Sequence, residues 1–171
     1  MRRGAIGRRN KPVVCRLLLG GNEGDRLRNL DQAVRSLLIL PGTRVLARSR
    51  VYETAPIGPA DRPFLNQALE IETSLSPMGL LVECKRIEAE AGRRPGLRWG
   101  NRPLDIDILS YGRLRLRTPW LTIPHPRIAQ RAFVLAPLRE LAPRWAPDGR
   151  RSVAALLRRL NRAPGTVKIF K

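Results

Sequence analysis

Two aspartates stand two positions apart inside an apolar segment of the chain, where carboxylates are uncommon. Asp105 and Asp107 alternate there with Leu104, Ile106 and Ile108. In an extended strand, residues i and i+2 point to the same face, so the two carboxylates would lie side by side while the apolar side chains face the core. Aspartate is a poor strand former, and two of them in mid-strand therefore need a local reason.

Two explanations fit the spacing of this aspartate pair. The first is a solvated strand face, on which the carboxylates are merely exposed. The second is a site for hard divalent cations, because Mg²⁺ prefers carboxylate oxygens, keeps several waters and completes its shell with substrate phosphates. Two such ions about 3.5–4 Å apart could bridge the attacking and leaving oxygens of a phosphoryl transfer. The spacing alone leaves both explanations open.

The residues on both sides of the pair favour a phosphate-binding function. The planar guanidinium of arginine can pair with two phosphate oxygens at once. The only histidine lies between two prolines, in a rigid turn that leads into a helix, and both a structural and a phosphate-binding role fit it. The flanking residues are Arg93, Arg94, Arg98 and Arg102 upstream, and Thr122, His125 and Arg131 downstream. Neither of the common glycine-rich nucleotide loops occurs, so a phosphate would be bound without one.

The composition indicates a globular chain with a large positive charge. The 171 residues are 43% hydrophobic and carry a net charge of +19, which is compatible with one domain and one core. Nucleic acid is one explanation of the charge. The other is a genome rich in G and C, which encodes arginine where other genomes use lysine. The even spread of arginines along the chain favours this second explanation over a dedicated binding face.

Targeting features are missing from the sequence. No apolar run approaches the roughly 20 residues of a membrane span. The basic start, MRRGAIGRRNKP, is not followed by an apolar stretch with a cleavage site, so no signal peptide is expected. Cys15 and Cys84 have no paired spacing, which favours a reducing, cytoplasmic setting. No membrane association is expected.

Hydrophobic periodicity and turn residues predict the elements that must position the aspartate pair. Strands are predicted at 13–22, 43–54, 64–75 and 104–112, and helices at 24–40 and 77–92. Ser76 and Pro77 form a helix start, with an N-cap and a proline at the first helical position. Short helices at 126–141 and 152–160 and a last strand at 166–170 follow.

This order predicts an α+β fold with a ferredoxin-like β-α-β-β-α-β core and a C-terminal helical extension. Residues 1–12 would be a basic, flexible tail, and residues 13–171 a single domain.

Two long motifs give the sequence a specific resemblance. RWGNRPLDIDIL, at 98–109, and LTIPHPRIAQRAFVLAPL, at 121–138, resemble the signatures of the 6-hydroxymethyl-7,8-dihydropterin pyrophosphokinase family. VYETAPIGPADRPFLNQALEIET, at 51–73, is similar to the pterin segment of that family, and LLLGGNEGDRLRNL, at 17–30, to its opening segment. The resemblance covers about residues 14 to 160. It implies transfer of a pyrophosphoryl group from ATP to the pterin hydroxymethyl group in folate biosynthesis, with release of AMP.

The resemblance also implies roles for individual residues. Asp105 and Asp107 would ligate two Mg²⁺ ions, and Arg93, Arg98 and Arg102 would join them in catalysis. Arg98 and Trp99 match a mobile loop that closes over ATP. The residues matching nucleotide-binding positions are Leu81, Glu88, Arg93, Arg98, Trp99, Arg102, Ile108, Thr122, His125 and Arg131. Trp120 stands where some members carry an arginine.

A second set of residues matches pterin-binding positions of the family. Phe64 and Phe133 would sandwich the flat heterocycle, although core packing explains each phenylalanine taken alone. Asn66 would pair with the amide-like edge of the pterin, since its side chain both donates and accepts. The full set is Thr54, Ala55, Ile57, Phe64, Asn66 and Phe133.

Two other classes of protein compete with the enzyme. A nucleic-acid-binding module on a ferredoxin-like sheet needs exposed aromatics among basic residues on its central strands, whereas Asp105 and Asp107 stand here. A structural protein leaves the joint placement of the aspartates, His125 and the arginines unexplained. We therefore expect an enzyme that acts on small molecules as a monomer, with no specific nucleic acid partner.

Overall fold

The protein folds around an antiparallel sheet with helices on both faces. The structure, a computed structural model, describes residues 11–56, 59–94, 100–160 and 167–170. The strands are β1 (Val13–Gly21), β2 (Thr43–Arg48), β3 (Tyr52–Thr54), β4 (Phe64–Thr73), β5 (Asp105–Tyr111), β6 (Leu116–Arg117), β7 (Thr122–Ile123) and β8 (Val167–Ile169). The helices are α1 (Arg26–Leu38), α2 (Pro77–Glu90), α3 (Ala132–Leu141) and α4 (Val153–Leu160), with a short 3₁₀ helix at Ile128–Gln130.

The strand order confirms the predicted ferredoxin-like core. The main sheet runs β5-β1-β4-β3-β8, and β2 also pairs with β4. All of its pairings are antiparallel. The long strands β1 and β4 lie at its centre, and their mostly buried residues fit two-sided coverage by helices. The predicted C-terminal helices and last strand are present as α3, α4 and β8.

One predicted strand is wrong, because residues 43–54 form two strands, β2 and β3. Ser49 lies in the gap between them and takes over the hydrogen bonds there. Its backbone N–H donates to the Ala68 carbonyl at 3.0 Å, and its Oγ accepts from the Ala68 N–H at 3.0 Å. The Gln67 side chain donates to the Ser49 carbonyl at 2.8 Å. Side-chain bonds thus replace the regular ladder, and the chain changes course before β3.

Local sequence signals set the bounds of the first two helices. Helix α1 begins after Asp25, whose carboxylate accepts from the Arg28 N–H at 3.1 Å. Helix α2 begins as predicted, with Ser76 as N-cap accepting from the Gly79 N–H at 3.1 Å and Pro77 in the first turn. Past its end, Gly92 has a φ of +90°, a conformation that side chains with a Cβ rarely adopt.

Two apolar clusters hold the helices to opposite faces of the sheet. Helices α1 and α2 share a cluster with Leu17 and Leu19 of β1. Helices α3 and α4 pack over Leu18 and Leu109 on the other face. Each fully buried leucine contributes about 1.5–3 kcal/mol relative to an exposed one. The face under α3 and α4 is the one that carries the aspartate pair. Among the described residues, no helix has the length and apolarity needed to cross a membrane.

Candidate active site

Strand β5 presents the two carboxylates side by side, as the alternation predicted. Asp105 pairs with Gly20 of β1, and Asp107 pairs with Leu18. Ile106 and Ile108 belong to the core cluster on the opposite face. The aspartates are only partly buried, and they face open space beyond the apolar contacts of α3 and α4. The fold therefore aims both carboxylates at one site.

Two cavities meet at this pair. The larger, about 930 Å³, lies between helix α2 and the β6–β7 hairpin. The smaller, about 480 Å³, lies over the ends of β1, β3 and β4. Five charged residues line both cavities and form what we call the junction. They are Arg102, Asp105, Asp107, Arg127 and Arg131.

Asp105 is held by two arginines. Arg102 Nε lies 3.1 Å from one carboxylate oxygen, and the Arg93 guanidinium contacts the other. Burial alone would raise the pKa of Asp105, but the charges of Arg102 and Arg93 outweigh it and bring the pKa below its ordinary value. Asp105 is therefore ionised at neutral pH and has two built-in counterions.

Asp107 has the opposite electrostatic environment. Burial raises its pKa, and the neighbouring charge of Asp105 raises it further, while Arg131 opposes both only in part. Ionised Asp107 is thus an unfavourable charge in the ligand-free protein. A cation at the junction would relieve this cost.

Glu88 is a buried carboxylate that ties helix α2 to strand β5. Its residue is 2% exposed. Oε1 accepts from the Lys85 ammonium and from the Ile106 N–H, both at 2.8 Å, and Oε2 lies 2.7 Å from the Arg93 guanidinium. Burial raises the pKa of Glu88, against the lowering effect of Lys85 and the Ile106 N–H. Glu88 thereby anchors Arg93 beside Asp105.

His125 is fixed as a neutral hydrogen-bond donor. Its Nδ1 accepts from the Arg127 N–H at 3.2 Å, so the proton of the neutral ring is on Nε2. Burial, together with the charges of Arg131 and Arg127, lowers the pKa of His125 to about 4. Its backbone N–H donates to the Leu109 carbonyl at 3.0 Å, which holds the loop against β5.

The smaller cavity carries the residues predicted to bind a flat heterocycle. Asn66 is 3% exposed and donates to the Thr54 hydroxyl at 3.0 Å. Phe64 and Phe133 line the same cavity, and each ring has an arginine over it. The distances to the ring centres are 5.2 Å for Arg102 over Phe64 and 5.4 Å for Arg131 over Phe133. The two guanidiniums that cover the rings also belong to the junction.

A close approach of strand β1 gives this cavity its shape. A Cβ on Gly20 would lie 3.1 Å from Asn66 Oδ1, so glycine leaves room for the amide. Beyond the strand, the buried side chain of Asn22 joins two loops. Its amide donates to the Arg62 carbonyl at 3.1 Å and to Asn101 Oδ1 at 2.7 Å, and its own Oδ1 accepts from the Arg102 N–H at 2.8 Å.

The structure brings nearly all of the predicted site residues to the two cavities. The larger cavity is lined by Leu81, Glu88, Arg93, Arg102, Asp105, Asp107, Ile108, Thr122, His125 and Arg131. The smaller is lined by Thr54, Ala55, Phe64, Asn66 and Phe133. Three predicted residues, Ile57, Arg98 and Trp99, lie outside the described residues.

The sequence reasoning missed several polar residues that line the cavities, among them Lys85, Arg127 and Gln130. Lys85 lies one helical turn before Glu88 and pairs with it, a spacing that the sequence could have flagged. Arg127 belongs to the junction and Gln130 to the smaller cavity. Both stand inside the quoted 121–138 motif, but their type alone gave no reason to separate them from surface residues.

The junction fits a magnesium site of the kind that substrates complete. Within the described residues, no group of three or more His, Cys, Asp or Glu could hold a metal ion. Mg²⁺ is commonly held by only one or two carboxylates plus substrate phosphates and water. Asp105 and Asp107 supply such a donor set, and the unfavourable charge on Asp107 favours a cation there.

Known proteins are similar to the part of this chain that forms the two cavities. A sequence profile of the family described as 7,8-dihydro-6-hydroxymethylpterin-pyrophosphokinase (HPPK) matches residues 16–143. The 2-amino-4-hydroxy-6-hydroxymethyldihydropteridine pyrophosphokinase of Methylorubrum extorquens is 48% identical over 126 residues, 73% of this chain and 80% of that protein. The mitochondrial folate synthesis bifunctional protein of Pisum sativum is 46% identical over 126 residues, but these are only 24% of its length.

A solved structure matches the fold. Wild-type Plasmodium falciparum HPPK-DHPS has a TM-score of 0.67 to this chain at 17% identity, over 88% of this chain and 42% of that one. The chain thus spans less than half of this neighbour and about a quarter of the pea protein, but four fifths of the bacterial relative. The profile match covers well over half of the chain, and the chain therefore belongs to the 7,8-dihydro-6-hydroxymethylpterin-pyrophosphokinase family.

Proposed function

We propose that this protein transfers the terminal pyrophosphoryl group of ATP to the hydroxyl of 6-hydroxymethyl-7,8-dihydropterin, in folate biosynthesis. The observation that carries the proposal is the junction, where a cavity rich in cationic residues meets a cavity with two aromatic rings and a buried amide. ATP would occupy the larger cavity and the pterin the smaller one. Both reacting groups would then meet over Asp105 and Asp107.

The reaction needs no nucleophilic side chain. The substrate hydroxyl oxygen forms a bond to the β-phosphorus of ATP, and the bond from that phosphorus to the α–β bridging oxygen breaks. AMP leaves with the bridging oxygen, and the hydroxyl proton is released. Phosphoryl transfer asks the protein mainly for in-line positioning and neutralisation of charge. Because the two cavities meet at one junction, substrates bound in them would be positioned next to each other for the transfer.

The residues of the junction would supply the neutralisation. Arg102 and Arg131 would contact the transferred phosphates, and Arg93 would be oriented toward them by Glu88. The neutral ring of His125 would donate a hydrogen bond from its Nε2–H group to a phosphate oxygen, and its lowered pKa supports the neutral form. Two Mg²⁺ ions held by Asp105 and Asp107 would, when bound, offset the charge of the triphosphate. Leu81, Ile108 and Thr122 would contact the nucleotide away from the phosphates.

The pterin would be recognised by its shape and by its polar edge. Phe64 and Phe133 would stack on its two faces, and Asn66, set by Thr54, would pair with its amide-like edge. Ala55 would border it, and we extend the proposal to Ile57. Arg98 and Trp99 would close over bound ATP and exclude water from the transfer.

The setting of the enzyme is part of the proposal. Both cysteines are free and buried, and burial raises the pKa of each thiol to about 12. Unreactive free thiols fit a reducing, cytoplasmic compartment. We propose that the chain acts there as a monomer on small molecules, without a specific nucleic acid partner and without a membrane.

The test is a single incubation with ATP, Mg²⁺ and the hydroxymethyldihydropterin, followed by chromatography of the nucleotides and pterins. We expect AMP and the pterin diphosphate in equal amounts. Formation of ADP would contradict pyrophosphoryl transfer. The absence of both AMP and ADP would contradict kinase activity altogether. Glu83→Gln is a matched control for the site variants, because Glu83 stands on α2 but pairs with Arg86 outside both cavities.

A further inference from the structure

Trp120 is a large aromatic side chain left in solvent at the edge of the larger cavity. It is 78% exposed and lines that cavity. It stands in the turn between β6 and β7, two strands of two residues each. Another apolar residue is equally exposed, Ile39 at 79%, but Ile39 lines neither cavity. Position rather than exposure distinguishes the tryptophan.

The turn that carries Trp120 is well ordered by its own hydrogen bonds. The Thr118 N–H donates to the Leu121 carbonyl at 2.9 Å. The Thr118 hydroxyl accepts from the N–H groups of Leu121, at 2.9 Å, and Trp120, at 3.3 Å. Leu121 itself is buried in the core cluster. The backbone of Trp120 is thus fixed while its indole remains accessible, so a ligand that meets it orders little else.

The arrangement of the larger cavity assigns this end to the non-phosphate part of a nucleotide. The junction residues that would hold the reacting phosphates are shared with the smaller cavity. The turn residues Pro119, Trp120 and Leu121 line only the larger cavity, as do Leu81 and Ala89 of helix α2 and the charged residues Lys85, Glu88, Arg93 and Arg94. The β6–β7 turn thus presents an indole, flanked by Pro119 and Leu121, to this cavity. Such a surface suits a flat, weakly polar ring rather than an anion.

We propose that Trp120 is a stacking platform for the nucleotide base and sets the preference of this enzyme for purine over pyrimidine nucleotides. The inference rests on the proposed function, because it takes the ligand of the larger cavity to be a nucleoside triphosphate. Stacking on an indole depends on the area of the base and not on its hydrogen-bonding edge. Trp120 therefore distinguishes the larger purines from pyrimidines without reading adenine itself.

Binding of two ligands to the full chain separates base contact from phosphate contact. Calorimetry is run with the Mg²⁺ complexes of a non-hydrolysable ATP analogue and of inorganic tripolyphosphate, which has no base. We expect Trp120→Ala to weaken the analogue roughly 5- to 100-fold, the range of a base–aromatic stack, and to leave tripolyphosphate unchanged. Trp120→Phe should restore most of the affinity, and Trp120→Leu should not. Ile39→Ala, the matched exposed control, should change neither ligand.

A selectivity measurement distinguishes stacking from a structural role of the turn. The wild-type protein should bind the analogue of a purine triphosphate more tightly than that of a pyrimidine triphosphate, and Trp120→Ala should narrow this ratio. In steady-state assays the KM for ATP should rise while kcat changes little. Equal losses for tripolyphosphate, or an unchanged affinity for the ATP analogue in Trp120→Ala, would overturn the inference.

The same experiment keeps the two proposals apart. If the wild-type protein forms AMP while Trp120→Ala behaves like wild type in binding and KM, the enzyme assignment stands and Trp120 has no base contact. If the wild-type protein neither binds the ATP analogue nor forms AMP, both proposals fail together. An exposed indole that contributes to binding of neither ligand would instead point to a protein-contact surface, which also overturns the stacking role.

Discussion

The same substitution at the two neighbouring aspartates should have opposite effects on stability while abolishing turnover in both cases. Asp105→Asn removes the carboxylate that lies between Arg93 and Arg102. Asp107→Asn removes a charge that burial and Asp105 disfavour. In the metal-free protein we therefore expect Asp105→Asn to lower the free energy of unfolding and Asp107→Asn to raise it.

The magnitude for Asp107 follows from its pKa. Burial and the charge of Asp105 raise the pKa of Asp107 from 3.8 to about 6. At about 1.4 kcal/mol per pKa unit, this shift corresponds to at most roughly 3 kcal/mol near neutral pH. Because the side chain is only partly buried, we expect about half, ~1–2 kcal/mol. In a domain of this size that gain raises the Tm by about 2–8 °C.

The pH dependence of this effect has a definite sign. The folded metal-free protein binds a proton on Asp107 more tightly than the unfolded chain does. Its stability therefore falls as the pH rises from 3.8 to about 6, and the loss is complete near pH 7. Asn carries no charge, so Asp107→Asn should be more stable than wild type near pH 7 and equal to it near pH 3. Asp105 contributes stability above its unfolded pKa, and this contribution is lost as the pH falls through its lowered folded pKa.

The assay is urea denaturation in the presence of a chelator, followed by circular dichroism at both pH values. Asp105→Asn should lose about 1.5–3 kcal/mol near neutral pH, the scale of a charged hydrogen bond. Turnover with Mg²⁺ and both substrates should fall by orders of magnitude in each variant. The reasoning is refuted if Asp107→Asn is destabilised as much as Asp105→Asn, or if its gain is the same at both pH values. Near-normal turnover at saturating Mg²⁺ would remove the metal assignment.

Three further results are expected. His125 is the only histidine, so the imidazole NMR signal of a tag-free protein should titrate near pH 4. The stability of the protein should fall as the pH drops from 6.5 to about 4. A titration midpoint near 6.5 would contradict the burial of His125 among arginines. Gly20→Ala should weaken pterin binding roughly tenfold by displacing Asn66. The free energy of unfolding in urea should be unchanged or higher, since glycine in a strand costs about 0.5–1 kcal/mol. An unchanged pterin affinity in calorimetry would count against the amide contact. Asn66→Ala and Phe133→Ala should each cost ~1–3 kcal/mol of pterin binding and little ATP binding, whereas equal calorimetric losses for both ligands would indicate a folding defect.

Local signals in the sequence were enough for the main elements of the fold. The N-cap Ser76 with Pro77 located the start of α2 to the residue, and the alternation around Asp105 located the face of β5. Both signals act between residues that are near in sequence. They require no knowledge of which strands pair.

The misplaced and missed elements depend on partners far along the chain. The break after β2 is set by Ser49, whose hydrogen bonds go to Ala68 and Gln67 on another strand. The strands β6 and β7 have two residues each, too few to show an alternation. In both cases the information lies in the tertiary contact and not in the segment.

The candidate site was found in two different ways. The aspartate pair and the arginines followed from residue type and spacing, whereas the roles of Thr54, Asn66 and Phe133 came only from the resemblance. The contacts of Glu88 with Lys85, Arg93 and the Ile106 N–H were not predictable, because a single buried carboxylate on a helix resembles a surface residue in the sequence.

The short strand β8 has a consequence for self-association. It pairs with β3 through Tyr52–Ile169 and Thr54–Val167, and so occupies backbone groups that would otherwise form an open edge of the sheet. An open edge can recruit a strand of another molecule and start aggregation. The edge that β8 presents instead is only three residues long and has Lys168 at its centre. Short strands and lysines both make an edge a poor template for pairing. Strand β8 thus protects the wall of the smaller cavity from intermolecular pairing.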